Sequence, residues 1–119
     1  MWYYLCYSYI MSGKQEEFIM ELRQERDGGR LVIHIIGVLN TMTAPDLEAI
    51  LGDNLADVDE LIFDISKMEY TSSAGLRAFL GAQQYMDDKD ADMAVRGVND
   101  IVMEIFEETG FTNLLNIED

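Results

Sequence analysis

The chain is short of cations, cysteine, histidine and long apolar runs, and each shortage removes a class of function. Only 8 of its 119 residues are Lys or Arg against 23 Asp and Glu, a formal net charge of -15. A field of that sign repels phosphate backbones and anionic headgroups, so neither nucleic acid nor a membrane surface is an expected partner. A protein with a basic or mixed-charge surface suits it better, although acidity also serves plain solubility. Cys6 is the one cysteine, so no intrachain disulfide and no Cys-rich zinc site can form, and a reducing, cytoplasmic setting fits. The opening MWYYLCYSYI is shorter than the ~20 residues of a spanning helix and has no basic stretch before it; it reads as neither anchor nor export signal. Glycine-rich phosphate loops are missing as well, since Gly75 and Gly81 stand alone and Gly28-Gly29 belongs to a turn.

What is present suffices for one domain with a single core. Residues 1–17 read as a leader, disordered or upstream of the true start because Met11 and Met20 follow closely, with an ordered extra strand or a partner-binding tail as the alternative. The domain proper is expected at 18–119. FIMELRQERDGGRLVIHIIGVL holds two strand-like runs, near 18–25 and 30–38, around a turn at Asp27-Gly28-Gly29 that can supply positive φ. The second run is almost continuously apolar, which predicts a strand buried on both faces. TMTAPDLEAIL opens a helix, with Thr43 as cap, Pro45 and Asp46 in the first turn, and Leu47, Ile50 and Leu51 on one face. LIF at 61–63 is a short strand ending at Asp64, and a loop at 66–73 leads to the pair Ser72-Ser73. From Ser73 a helix places Leu76, Phe79 and Leu80 on a core face, while Gly75, Ala78 and Ala82 form a face of small residues open to close approach from within the domain or from a partner. MAV at 93–95 is a strand, and VNDIVMEIFEETGF a helix capped by Asn99 or Asp100, with Ile101, Ile105 and Phe106 buried and Gly110 as stop. The order β-β-α-β-α-β-α predicts an α/β fold, a mixed, mainly parallel sheet with right-handed crossovers.

The residues do not assemble an enzyme. A serine hydrolase needs a base within reach and a group to orient it, yet His34, the only histidine, sits inside a strand and is expected to be a packed residue rather than a base. SSAGL also lacks the G-x-S-x-G elbow. No metal and no cofactor are expected. Ser73 is better read as an acceptor than as a nucleophile: at a helix start its hydroxyl can cap the first turn. A phosphate there would add about -1.5 to -2 charges at a helix end that tolerates anions.

IFDISKMEYTSSAGLRAFLGA resembles the central segment of STAS domains, in particular the bacterial anti-sigma factor antagonists, whose pattern is an aspartate ending a strand, a short loop, then Asp-Ser-Ser-Gly-Leu or Ser-Ser-Ala-Gly-Leu. GVLNTMTAPDLEAIL is similar to the segment after the family's second strand, and GVNDIVMEIFEETGFTNLL to its C-terminal helix, so the likeness spans about residues 18–117. The resemblance implies a non-enzymatic partner switch. Its phosphorylated serine lies two positions before the glycine, here Ser73, with Ser72 the alternative because it replaces the usual aspartate. Unmodified, such a protein binds an anti-sigma factor that is often also the serine kinase; phosphorylation breaks the complex and a PP2C-type phosphatase restores it. The partner surface is then expected over Thr71, Ser72, Ser73, Ala74, Gly75, Arg77 and Ala78. Asn40 stands where many members have aspartate, which removes a carboxylate from any contact with kinase or nucleotide. Two other readings of a STAS domain are a scaffold subunit of a transport or signalling assembly, and a small-ligand or nucleotide binder using the loop at 66–73. The pattern sets no oligomeric state.

Overall fold

The computed structural model describes residues 2–11 and 17–118. Its elements run β1 (Trp2–Met11), β2 (Glu17–Asp27), β3 (Arg30–Leu39), α1 (Ala44–Asn54), β4 (Glu60–Thr71), α2 (Ser73–Asp88), β5 (Asp92–Arg96), α3 (Asp100–Thr109), a 3-10 turn (Phe111–Asn113) and β6 (Ile117–Glu118). The expected β-β-α-β-α-β-α order is present from β2 onward, with a further strand at each end. Within the stretch read as a leader, β1 pairs antiparallel with β2, while residues 12–16 lie outside the described residues.

The six strands stand in chain order in one mixed sheet, β1 to β3 antiparallel and β3 to β6 parallel. Gly28, at φ 61°, closes the β2–β3 hairpin as the Asp-Gly-Gly signal predicts. Because each new parallel strand is added on the same side, crossovers of one hand place all three helices over one sheet face. Strand residues Leu22, Leu31, Ile33, Ile35, Leu61, Phe63, Ile65, Met93 and Val95 turn to that face and meet the helices in a single core. At its centre Phe79 of α2 packs edge-on against Phe63 of β4, ring centroids 4.9 Å apart, and against Phe106 of α3 at 6.3 Å.

The expectation that β3 is buried on both faces holds only at its start: on the side away from the helices Val32 is buried beside Ile62 and Ala94, whereas His34, Ile36 and Val38 are only half-buried. A second correction concerns β4, which does not end at Asp64. It continues to Thr71 through two irregularities, where His34 and Ile36 of β3 face Asp64 and Lys67, and Gly37 and Val38 face Met68 and Tyr70. Each inserts one extra residue in β4, so its inward side chains fall at 61, 63, 65, 68 and 71. The alternation is broken by exposed Ser66, Lys67, Glu69 and Tyr70, which is why this stretch reads as a loop.

The helices differ from expectation at their edges. Asn99 caps α3, its side chain accepting from Val102 N at 2.8 Å and donating to Met68 O at 2.6 Å, and Gly110 ends the helix in the left-handed conformation. The buried stripe of α3, however, is Val102 and Phe106 with Ile105 against the core, while Ile101 is 60% exposed. Thr43 stands at the N-cap of α1 without capping it; its hydroxyl donates to Val38 O at 3.0 Å and accepts from Asn40 N at 2.8 Å, fastening the β3–α1 turn.

Candidate functional site

The carboxyl ends of β3 and β4 meet at Leu39 and Thr71, and the chain leaves each strand by a tight junction. After β3, the Asn40 side-chain oxygen accepts from Met42 N at 2.9 Å and Thr43 N at 3.2 Å, closing a local turn. After β4, a single residue separates strand from helix: Ser72 donates its N–H to Leu39 O at 3.0 Å and accepts from Leu76 N at 3.1 Å. The helix start is thereby tied to both strands.

Ser72, not Ser73, is the N-cap of α2, in extended conformation with no side-chain capping bond. Its hydroxyl is shielded from solvent and has no hydrogen-bond partner. Ser73 is the first helical residue and is exposed, which corrects the expectation that its own hydroxyl caps the helix. The first N–H groups of a helix lack intrahelical acceptors and carry the positive end of its dipole. Both α1 and α3 have an acidic residue in the first turn, and α2 has none.

The remaining residues expected at the partner surface divide into two sets. Arg77, one turn beyond Ser73, is exposed, and Ala74 is partly so. Thr71, Gly75 and Ala78 are buried in the domain. The small-residue face of α2 therefore turns inward: a Cβ on Gly75 would lie 2.2 Å from Thr71 Oγ1 and 2.8 Å from Leu39 Cγ, so glycine here lets the helix seat on the strand ends. Met42 in the β3–α1 turn and Tyr70 near the end of β4 are 60% and 49% exposed, and sequence reasoning passed over them because both lie outside any periodic stripe.

His34 is remote from this junction. It pairs with Asp64 in the β3–β4 register, five residues before Leu39, which at about 3.3 Å per residue is roughly 16 Å along the strand. On the helix-free sheet face it stands between two carboxylates, Nδ1 3.3 Å from Asp64 Oδ2 and Nε2 3.6 Å from Glu25 Oε1. These groups, with Arg23, Ser66 and Lys67, line a cleft of about 300 Å³ that the reading of β3 as doubly buried did not anticipate. Burial acts to raise the Asp64 pKa, but hydrogen bonds from the Ser66 N–H and hydroxyl and the charges of His34 and Arg96 outweigh it and hold the carboxyl below its ordinary value. No group of three or more metal-ligating side chains occurs among the described residues, and no helix among them is long and apolar enough to cross a membrane.

A mixed sheet with helices on one face and a serine pair opening the helix after β4 defines a small single α/β domain. The STAS domain model matches residues 21–119, and the chain belongs to that family. Among its relatives is the anti-sigma-B factor antagonist of Listeria monocytogenes, 27% identical over 96 residues that cover 80% of this chain and 84% of that protein. Among solved structures, the anti-sigma factor antagonist SpoIIAA in its unphosphorylated form matches with a TM-score of 0.68 at 14% identity, over 82% of this chain and 87% of that one. The Bacillus cell fate determinant SpoIIAA in the phosphorylated form matches with a TM-score of 0.67, again at 14% identity, over 82% of this chain and 91% of that one.

Proposed function

We propose that the protein is an anti-sigma factor antagonist controlled by phosphorylation of Ser73. The observation that carries this reading is the asymmetry of the serine pair: Ser73 is exposed on the first residue of α2, whereas the Ser72 hydroxyl is shielded from solvent. A kinase can reach the first and not the second without opening the junction. The family's relatives carry the name of anti-sigma factor antagonist, which supplies the partner class.

The chemistry follows from charge. Unmodified, the exposed Ser73 offers a neutral hydroxyl that an anti-sigma factor can cover. Phosphorylation adds about -1.5 to -2 charges and strong acceptor oxygens. In the free domain, water and the first-turn N–H groups stabilise that charge, worth about 0.3–1 kcal/mol at an exposed helix start. In the complex the phosphate loses its water and meets a surface shaped for a hydroxyl, so the complex dissociates while the fold persists. A serine kinase, in such systems often the anti-sigma factor itself, and a PP2C-type phosphatase would set the two states in the cytoplasm. The chain acts as substrate and ligand of these partners rather than as an enzyme. Residues 66–71, which the ligand-binding alternative takes as a loop, belong to β4.

The test is phosphopeptide mass spectrometry on protein from the native cell, with Ser73→Ala and Ser72→Ala each offered to the cognate kinase and ATP. Phosphate on Ser73, abolished by Ser73→Ala and retained by Ser72→Ala, is the expected result. Full labelling of Ser73→Ala would assign the site elsewhere, and an unlabelled native protein would favour a fixed scaffold.

A further inference from the structure

Arginine on this chain is outnumbered by carboxylates, and the fold pairs it accordingly. Arg23 with Glu21, Arg26 with Asp57, Arg30 with Glu60 and Arg96 with Asp64 close ion pairs, and Lys89 donates to the carbonyls of Leu55 and Ala56 at 2.7 and 2.9 Å. Arg77 is the exception among the arginines: it is exposed, and it has no ion pair or hydrogen bond among the described residues. On a chain with 23 acidic side chains, a guanidinium without a carboxylate calls for a reason.

The helix supplies one. Side chains that meet on a helix surface stand three or four residues apart, and around Arg77 those positions hold Ser73, Ala74, Leu80 and Gly81. None is an acid, and only Ser73 is polar. The acids of α2, Asp87 and Asp88, lie in its last turn, and its first turn, unlike those of α1 and α3, carries no anion until Ser73 is modified. Ser73 and Arg77 are both exposed. Helical side chains lean toward the N-terminus, which carries the guanidinium back over the turn that Ser73 opens.

We propose that Arg77 holds the phosphate of Ser73, closing an ion pair within α2 that exists only in the modified protein. This rests on the reading of Ser73 as the modified residue. An acid four residues before a base is the favourable order on a helix, and a guanidinium can give a phosphate two parallel N–H bonds. Modification then does two things at once: it places about -1.5 to -2 charges at the helix start, and it turns back onto the helix the only basic side chain of α2. The experiment installs phosphoserine at position 73 of the full chain by codon suppression, in wild type, Arg77→Gln and Arg77→Lys, and follows the second phosphate ionisation by phosphorus NMR as pH is varied. A guanidinium beside the phosphate favours the dianion, so Arg77→Gln should move that ionisation up by roughly 0.3 pH units or more, with Arg77→Lys in between and the difference shrinking in about 1 M salt. Thermal melts of the unmodified proteins should coincide, because Arg77 has no contact to lose. Equal ionisation in wild type and Arg77→Gln overturns the proposal. So does an unmodified Arg77→Gln that melts several degrees lower or fails to fold, since Arg77 would then serve the fold. Neither result depends on the kinase, whereas native protein without phosphate on Ser73 would overturn the switch reading and, with it, the setting in which this pair forms.

Discussion

Alanine in place of Gly75 tests the contact on which the position of Ser72 and Ser73 depends. The new Cβ would lie 2.2 Å from Thr71 Oγ1 and 2.8 Å from both Cγ and Cδ2 of Leu39. Thr71 is 1% exposed and Leu39 fully buried, and none of the three atoms is the free tip of a long side chain. Relief therefore requires moving the first turn of α2 or the strand ends. Overpacking a buried site costs about 1–3 kcal/mol, and the 2.2 Å approach places this case near the upper figure. Alanine's helix preference returns ~1 kcal/mol, which leaves a net loss of about 2 kcal/mol. The same substitution at Gly81 meets open space and should gain about 0.4–1 kcal/mol. Urea unfolding of both variants and wild type at a common m-value measures the two changes, which should have opposite sign on one helix. A Gly75→Ala protein as stable as wild type would mean that α2 does not press on Thr71 and Leu39, and the exposure argued for Ser73 would fall with that contact.

Phe79→Ala removes the ring between Phe63 and Phe106 and should cost about 3–5 kcal/mol in the same assay; a loss under about 1 kcal/mol would contradict its place at the core centre. Asp64, with its folded pKa lowered, contributes stability that is complete above the unfolded carboxylate pKa of about 3.9 and is lost as pH falls through the lower folded value. Wild type and Asp64→Asn should thus differ most near neutrality and converge below about pH 4 in thermal melts, and a difference that grows with acidity would refute the assignment. We propose that residues 18–119 form the autonomous unit, consistent with the family match from residue 21. That fragment should unfold in one cooperative transition by circular dichroism, and a fragment without cooperative unfolding would make β1 integral to the fold.

Local chemistry with one strong signal was legible in the sequence, and features set by tertiary geometry were not. The Asp27-Gly28-Gly29 turn, the Asn99 cap and the Gly110 stop each depend on a residue's own conformational preference, and each occurs where read. Residues 66–71 were misread because two extra residues in β4 change the inward spacing from two to three, which destroys strand alternation. The apolar run of β3 suggested cover on both faces, which holds at Val32 but not at His34, Ile36 and Val38, because the constant crossover hand leaves that face without helices and with the cleft around His34. Ile101 was assigned inward by its 101, 105 spacing, but Val102 holds the inward position of that turn. The serine pair was found at the expected helix start and the family resemblance supplied its role; which serine caps and which is exposed depended on where β4 ends, a fact the residues alone do not carry.

The central claim, that a phosphate on Ser73 releases the partner without unfolding the domain, is tested most directly by the affinity of one anti-sigma factor for unmodified and Ser73-phosphorylated protein, measured with circular dichroism on the same samples. The account predicts binding by the unmodified protein, loss of about 10-fold or more on phosphorylation, equivalent to about 1.4 kcal/mol, and superimposable spectra. Equal affinity of the two forms, or loss of affinity accompanied by loss of helical signal, would contradict it.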